Sequence, residues 1–132
     1  ARYGKELAGD FAGWGLPTAW TLLDSAVTCN KGDFLIASGG IRNASDIAKA
    51  FALGADVVGM AGNVLRLVQE GGVEAVTTYF EVIAEHLARY LLLLGAKSSK
   101  DLRNVPVIYS GETANYIANR GYDLAALSKN RR

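Results

Sequence analysis

Two stretches of nearly bare backbone carry the chemical interest of this sequence: SGGIRN (Ser38 to Asn43) and GMAGN (Gly59 to Asn63), about 21 residues apart. Each follows an apolar run and precedes a helix or helical turn. Free backbone N–H groups at helix starts attract anions, and the helix dipole adds to the attraction. Glycine has no Cβ, so a phosphate oxygen can approach the main chain directly. Gly39, Gly40 and Ile41 can form one side of a phosphate cradle, Ala61 and Gly62 the other, and Arg42 can add a charged, forked donor. A single glycine pair is satisfied by a tight turn alone. Two such turns at neighbouring strand ends favour phosphate, although the spacing names no cofactor and also fits a sugar-phosphate enzyme.

The elements that must position these turns can be read from periodicity. LPTAWTLLDSA (Leu16 to Ala26) reads as a short helix, with Pro17 in its first turn and Ala19, Leu22, Leu23 and Ala26 as its apolar stripe. FLIAS (Phe34 to Ser38) and ADVVGMA (Ala55 to Ala61) are continuous apolar runs, as expected for parallel strands covered on both faces. Asp56 falls at the N-terminal end of the second, away from the glycine turns. Between them, Asn43 to Gly54 reads as a helix capped by Asn43 or Ser45, with Asp46 at the positive end of its dipole. A long helix follows over about Val73 to Leu94, with Val76, Phe80, Ile83, Leu87 and Leu91 on one side. Glu85 and Arg89 pair across a turn of it, and Gly95 ends it. The remainder reads as a tail: SSKDLRN a short helix capped by Ser98 or Ser99, PVIYSG extended, and ETANYIANRG a last short helix. The strand-to-strand spacing suits a right-handed helical crossover, which brings both glycine turns to one edge of a parallel pair.

Composition narrows the function classes. The chain has 132 residues, half of them hydrophobic, with 14 basic and 13 acidic side chains and a net charge of +1. That is one domain's worth of core-forming sequence, with no broad basic face for nucleic acid. The terminal KNRR reads as a solvated tail. A lone cysteine, Cys29, allows neither a disulfide framework nor a multi-cysteine metal site and fits a reduced, cytoplasmic setting. YLLLLGA is far too short to span a bilayer, and no signal peptide is visible. His86 sits mid-helix with no second histidine to share a metal. Asp33, Asp56, Glu74, Glu81 and Glu85 form no paired-carboxylate constellation, and Ser110 and Thr113 lack a base at recognisable spacing. Trp20 reads as core, and Trp14 as core or as the wall of a site mouth.

WGLPTAWTL, IASGGIRNASDIAKAFALGADVVGMAG, LLLGAKSSKDLRNVPVIYSGE and ETANYIANRGYD together resemble the C-terminal part of type 2 isopentenyl-diphosphate isomerase, over essentially the whole chain. The shorter SGGIR and GMA turns also occur in other FMN-dependent barrels, such as 2-hydroxy-acid oxidases, IMP dehydrogenase and dihydroorotate dehydrogenase. The resemblance implies an α/β fold that is the C-terminal portion of a (β/α)8 TIM barrel, about strands seven and eight with flanking helices. It implies FMN, with its phosphate at Gly39, Gly40, Ile41 and Arg42 after strand seven and at Ala61 and Gly62 after strand eight. It also implies interconversion of isopentenyl and dimethylallyl diphosphates in isoprenoid biosynthesis. Reduced FMN takes part, supplied through NADPH, with Mg2+ on the substrate diphosphate, in a cytoplasmic homo-oligomer.

A full barrel needs about 250 residues. The family's catalytic glutamine and Mg2+-binding glutamate match nothing here, so no catalytic or metal residue is assigned. The chain is accordingly expected to be a C-terminal fragment of one barrel domain. It divides into a leading loop (1–15), a helix with two strands and phosphate turns (16–62), the long helix (73–95) and a tail (96–132). The opening ARYGKELAGDFAGWG, which starts on alanine and shows no clear strand, points the same way. Alone, such a piece is expected to leave the edges and the apolar inner face of its two strands without partners, and so to be inactive and to pair with the missing N-terminal half or self-associate. An FMN-dependent oxidoreductase, or a non-catalytic fragment, remains the alternative.

Overall fold

The computed structural model describes residues 9–30 and 32–129. The KNRR tail beyond Lys129 and the first eight residues of the opening segment lie outside them. Helix α1 (Thr18–Thr28) leads to strand β1 (Ile36–Ser38), helix α2 (Ala44–Ala52), strand β2 (Val57–Gly59) and the long helix α3 (Gly62–Leu93). A 3-10 turn (Ser99–Asn104) and helices α4 (Gly111–Asn119) and α5 (Leu124–Lys129) complete the order. The fold is α/β, and its strands are parallel, with Ile36 opposite Val57, Ala37 opposite Val58 and Ser38 opposite Gly59.

Local chemistry explains the helix starts. Pro17 is the N-cap of α1 rather than part of its first turn, with φ −54° and ψ 138°. Its carbonyl accepts from the N–H groups of Trp20 (2.8 Å) and Thr21 (3.2 Å). The helix therefore begins two residues later than periodicity suggests, at Thr18. Of the two candidate caps for α2, Asn43 is the one used, its Oδ1 accepting from the Asp46 N–H at 2.9 Å. Gly95, at φ +67°, takes the left-handed position just past α3 that glycine fills without strain.

The long helix is two helices joined at an elbow. Gly71 (φ −147°, ψ 15°) and Gly72 (φ 63°, ψ −155°) leave the helical region. Gly72 occupies a conformation essentially reserved for glycine. A Cβ on Gly71 would fall 2.8 Å from the Ala75 Cβ. The segment beyond the elbow is the helix expected from Val73 onward. The segment before it, residues 62–70, is too short to announce itself by period.

The core gathers Leu22 and Leu23 of α1, Ala37, Ile41, Ile47, Ala50, Leu53, Ala55 and Ile83, and it includes Ile117 of α4. Leu23, Leu102 and Ile117 are fully buried, each contributing about 1.5–3 kcal/mol. The C-terminal segment is thus a structural part of the core, although its sequence reads as a tail. Residues 106–110 form no strand, and Gly111 already begins α4.

The strands are covered on one face only: their apolar runs fit strands covered on both, but the expected piece of a barrel lacks the partners of its inner face. Ala37 is 2% exposed, but Ile36 and Val57, paired on the opposite face, are 60% and 42% exposed. The helices pack on the Ala37 side, so a two-stranded sheet has nothing among the described residues to lay over its other face. At the strands' N-terminal edge the polar groups are closed by side chains. The Asp56 carboxylate accepts from the Leu35 N–H (2.7 Å) and from Arg103 Nη2 (2.6 Å), which also donates to the Ala55 carbonyl (2.9 Å). Among the described residues no helix is long and apolar enough to cross a membrane.

Candidate functional site

Parallel pairing of Ser38 with Gly59 brings the chain to the same edge of the sheet at SGGIRN and GMAGN. Gly39 and Gly40 leave β1 at φ +97° and +70°, the left-handed region where side chains are strained. Both are exposed, while Ile41 turns its side chain into the core.

Three helices each send one side chain to the backbone of this turn. Thr18 Oγ1, at the start of α1, donates to the Gly39 carbonyl at 2.7 Å. Asp46 Oδ2, in the first turn of α2, accepts from the Arg42 N–H at 3.1 Å. The Tyr79 hydroxyl, on α3, donates to the Arg42 carbonyl at 2.5 Å. The ends of the turn are therefore fixed. Among the described residues, no acceptor meets the N–H groups of Gly40 and Ile41 in its middle.

The second turn has a different kind of openness. Ala61 is the N-cap of α3 and offers no side chain to the first helical N–H groups. The contrast with α2, capped by Asn43, leaves the α3 start as the one better suited to an anion. Gly62 has ordinary helical backbone, and a Cβ there would meet nothing within 4 Å. The chain's own packing does not require glycine at 62, so its bareness matters only to something arriving from outside.

Arg42 is the looser member of the set. Its guanidinium Nε lies 3.6 Å from Asp46 Oδ2, with the side chain 69% exposed. Such a pair is worth less than about 1 kcal/mol, so the guanidinium is easily redirected to an incoming anion. A cavity of about 260 Å3 lies behind the first turn, lined by Gly39, Gly40, Thr18, Leu22 and Lys49 among others. Neither Ala61 nor Gly62 borders it, so it belongs to the first turn and does not span the two.

Helix α1, which supplies Thr18, is held from its other side by the C-terminal helices. Trp20 stacks on Tyr116 (4.4 Å between centroids, 15° apart) and donates its Nε1–H to Thr113 Oγ1 at 3.1 Å. Asp24 receives Tyr116 Oη (2.6 Å), Tyr122 Oη (2.8 Å) and Arg120 Nε (3.2 Å). The Tyr116 hydrogen bond, joined by Tyr122 and Arg120, holds the Asp24 carboxyl below the usual carboxylate range against the opposing cost of burial. The same bond pushes the Tyr116 phenol up.

The remaining sequence candidates are placed elsewhere. Trp14 is 78% exposed in the leading segment and packs edge-on against Phe11 at 5.8 Å. His86 is exposed on α3. Glu85 pairs with Arg89 as the spacing implies. Among the described residues no three His, Cys, Asp or Glu side chains gather as metal ligands. The residues that fix the first turn, Thr18, Asp46 and Tyr79, were not recognised as such from sequence. Only Tyr79 carried a signal: a polar-tipped aromatic on an apolar helix face needs a partner for its hydroxyl.

Comparison with known proteins adds the following. Residues 15–108 match the family described as FMN-dependent dehydrogenase. The chain is similar to an isopentenyl-diphosphate delta-isomerase of Geobacillus sp. (strain WCH70), 42% identical over 118 residues, covering 89% of this chain and 34% of that protein. It is similar to one of Symbiobacterium thermophilum, 43% identical over 115 residues, covering 87% and 32%. A third, of Metallosphaera sedula, is 37% identical over 115 residues, covering 87% and 31%. The chain thus spans about a third of the length of these curated relatives.

Proposed function

The chain belongs to the FMN-dependent dehydrogenase family, and from that premise we propose that it is the flavin-phosphate-binding part of an isopentenyl-diphosphate delta-isomerase. The observation that carries the proposal is the meeting of two bare turns at one sheet edge: a glycine turn with unmatched N–H groups beside an uncapped helix start. The donor set fits a phosphate, since main-chain N–H groups and one guanidinium offer only positive charge and hydrogen. Gly39, Gly40, Ile41 and Arg42 would hold it from one side, Ala61 and Gly62 from the other. A Cβ at Gly40 or Gly62 would fill space that the phosphate needs. The parallel pair would be strands seven and eight of a (β/α)8 barrel, where such sites commonly lie. The uncovered Ile36–Val57 face would be the barrel's interior, closed by the rest of that barrel.

When bound in its reduced form, FMN supplies acid–base chemistry at the substrate's double bond. The residues of this chain position that group by its tail and carry no catalytic or metal-binding role. NADPH as reductant, Mg2+ on the substrate diphosphate, a cytoplasmic location and a homo-oligomeric assembly complete the proposal. It is tested by assaying the complete protein with isopentenyl diphosphate, Mg2+ and reduced FMN. Formation of dimethylallyl diphosphate with no net flavin oxidation is expected. Absence of turnover together with absence of retained flavin would falsify it. The family's own description favours one alternative, an FMN-dependent oxidoreductase of the 2-hydroxy-acid oxidase or IMP dehydrogenase kind. Stoichiometric flavin reduction by a 2-hydroxy acid, without double-bond transfer, would select it.

A further inference from the structure

We propose that the Tyr79 hydroxyl sets the spacing of the two glycine turns, and through it the preference of this protein for a phosphorylated over an unphosphorylated flavin. The proposal rests on the flavin-phosphate reading above. Tyr79 lies beyond the elbow of α3, yet its Oη is where both turns meet. It donates to the carbonyl of Arg42, near the end of the first turn, at 2.5 Å. It accepts from Asn63 Nδ2, in the opening turn of α3, at 3.3 Å, and stands 3.9 Å from Met60 Sδ. A phenol has one proton to give. The nearby carbonyl is the stronger acceptor, which leaves the oxygen's lone pairs for the Asn63 amide. One atom is thereby bonded to both halves of the cradle. Thr18 and Asp46 also hold the first turn, but neither touches the second.

The Tyr79 ring packs against the core cluster and edge-on to Phe80 at 5.6 Å. Packing, rather than its hydrogen bonds, fixes where the hydroxyl stands. Removing the oxygen should therefore leave the ring seated and release the two turns from each other. Only a ligand that engages both turns at once will register that release. Riboflavin has the ring system of FMN and lacks its phosphate, so contacts made elsewhere in the protein are common to both flavins and cancel in the ratio of their affinities.

The test compares FMN and riboflavin binding, by quenching of flavin fluorescence, in the flavin-stripped complete protein and its Tyr79→Phe variant. Circular dichroism and a melting curve establish that the variant is folded. Wild type is expected to prefer FMN. Tyr79→Phe is expected to lose about fivefold to tenfold in FMN affinity, the scale of one hydrogen bond, with riboflavin affinity unchanged. Asn63→Ala, which removes only the second-turn bond, should lose less, and on FMN alone. An unaltered FMN-to-riboflavin ratio in Tyr79→Phe overturns the proposal, whether neither affinity moves or both fall together as a purely structural role would require. A wild-type protein with no preference for FMN overturns the phosphate reading itself, and this proposal with it.

Discussion

The same two strands end in opposite ways. At their N-terminal edge, Asp56 and Arg103 close the sheet: both side chains are about one-fifth exposed, and their oxygens and nitrogens bond to each other and to the strand backbone. At the C-terminal edge, 3 residues further along each strand, side chains secure only the outer positions of the first turn, and the N–H groups of Gly40 and Ile41 meet no acceptor among the described residues. The closed end ties charged side chains into the fold, although Arg103 Nε is buried there without a hydrogen-bond partner; the open end leaves unmatched main-chain N–H groups, which the proposed phosphate would meet. On the proposed reading, the difference separates stability from binding along one short pair of strands.

The largest effect should come from breaking the closed end. Arg103→Ala leaves a half-buried carboxylate without its cation and should cost about 2–3 kcal/mol, read as a lowered denaturation midpoint with an unchanged slope. The preference for FMN over riboflavin should not change. If it does, the two ends are not separate. Next, Gly39→Val places a branched side chain at φ +97° and should cost about 1–2 kcal/mol in stability, while FMN affinity falls more than tenfold because the turn must leave its conformation.

Asp24→Asn tests the support behind α1, and should cost about 1 kcal/mol at neutral pH. The sign is fixed by the lowered carboxyl: the folded value lies below the unfolded one. The stabilisation is therefore full above about pH 4 and is lost as pH falls through the folded value. The variant's acid unfolding limb should be flatter than wild type. An unchanged limb, followed by tryptophan fluorescence, would show that the three donors contribute nothing. Smallest in stability, and sharpest for the comparison, is Gly62→Ala. The position is helical and spacious, so melting should shift by no more than the equivalent of a few tenths of a kcal/mol, upward if at all. FMN affinity should still fall severalfold. Unaltered FMN affinity would mean that the second turn does not touch the ligand.

Much of this was legible in the order of residues. Two apolar runs about 21 residues apart, with a capped helix between them, define a parallel pair, and the pair's register then dictates that both glycine turns share an edge. Asn43 was legible, with Ser45, as one of two candidate caps, and Asp56 fell at the stable end. What was not legible depends on contacts between distant segments. Thr18 meets Gly39 from 21 residues away, and Tyr79 meets Arg42 from 37. No periodicity encodes such meetings. Arg103 and Ile117 looked like tail because their partners, Asp56 and the α1 core, are brought to them only by the fold. The openness of the Ile36–Val57 face follows only once the chain is read as part of a barrel, since an apolar run is written in the same letters whether or not a second layer lies over it.

The elbow at Gly71–Gly72 has a mechanical consequence. Two rods meeting at a free joint can swing, and a pair of glycines is as free a joint as a polypeptide offers. But the short rod carries Asn63, the long rod carries Tyr79, and the bond between them ties the arms together across the joint. A joint with a tie across its arms is a triangle, and a triangle keeps its angle. The short rod, with the helix start that faces the proposed phosphate, is therefore trued like the boom of a crane: the paired strand anchors its foot, the Asn63–Tyr79 bond stays its arm, and its load passes down the long rod into the core.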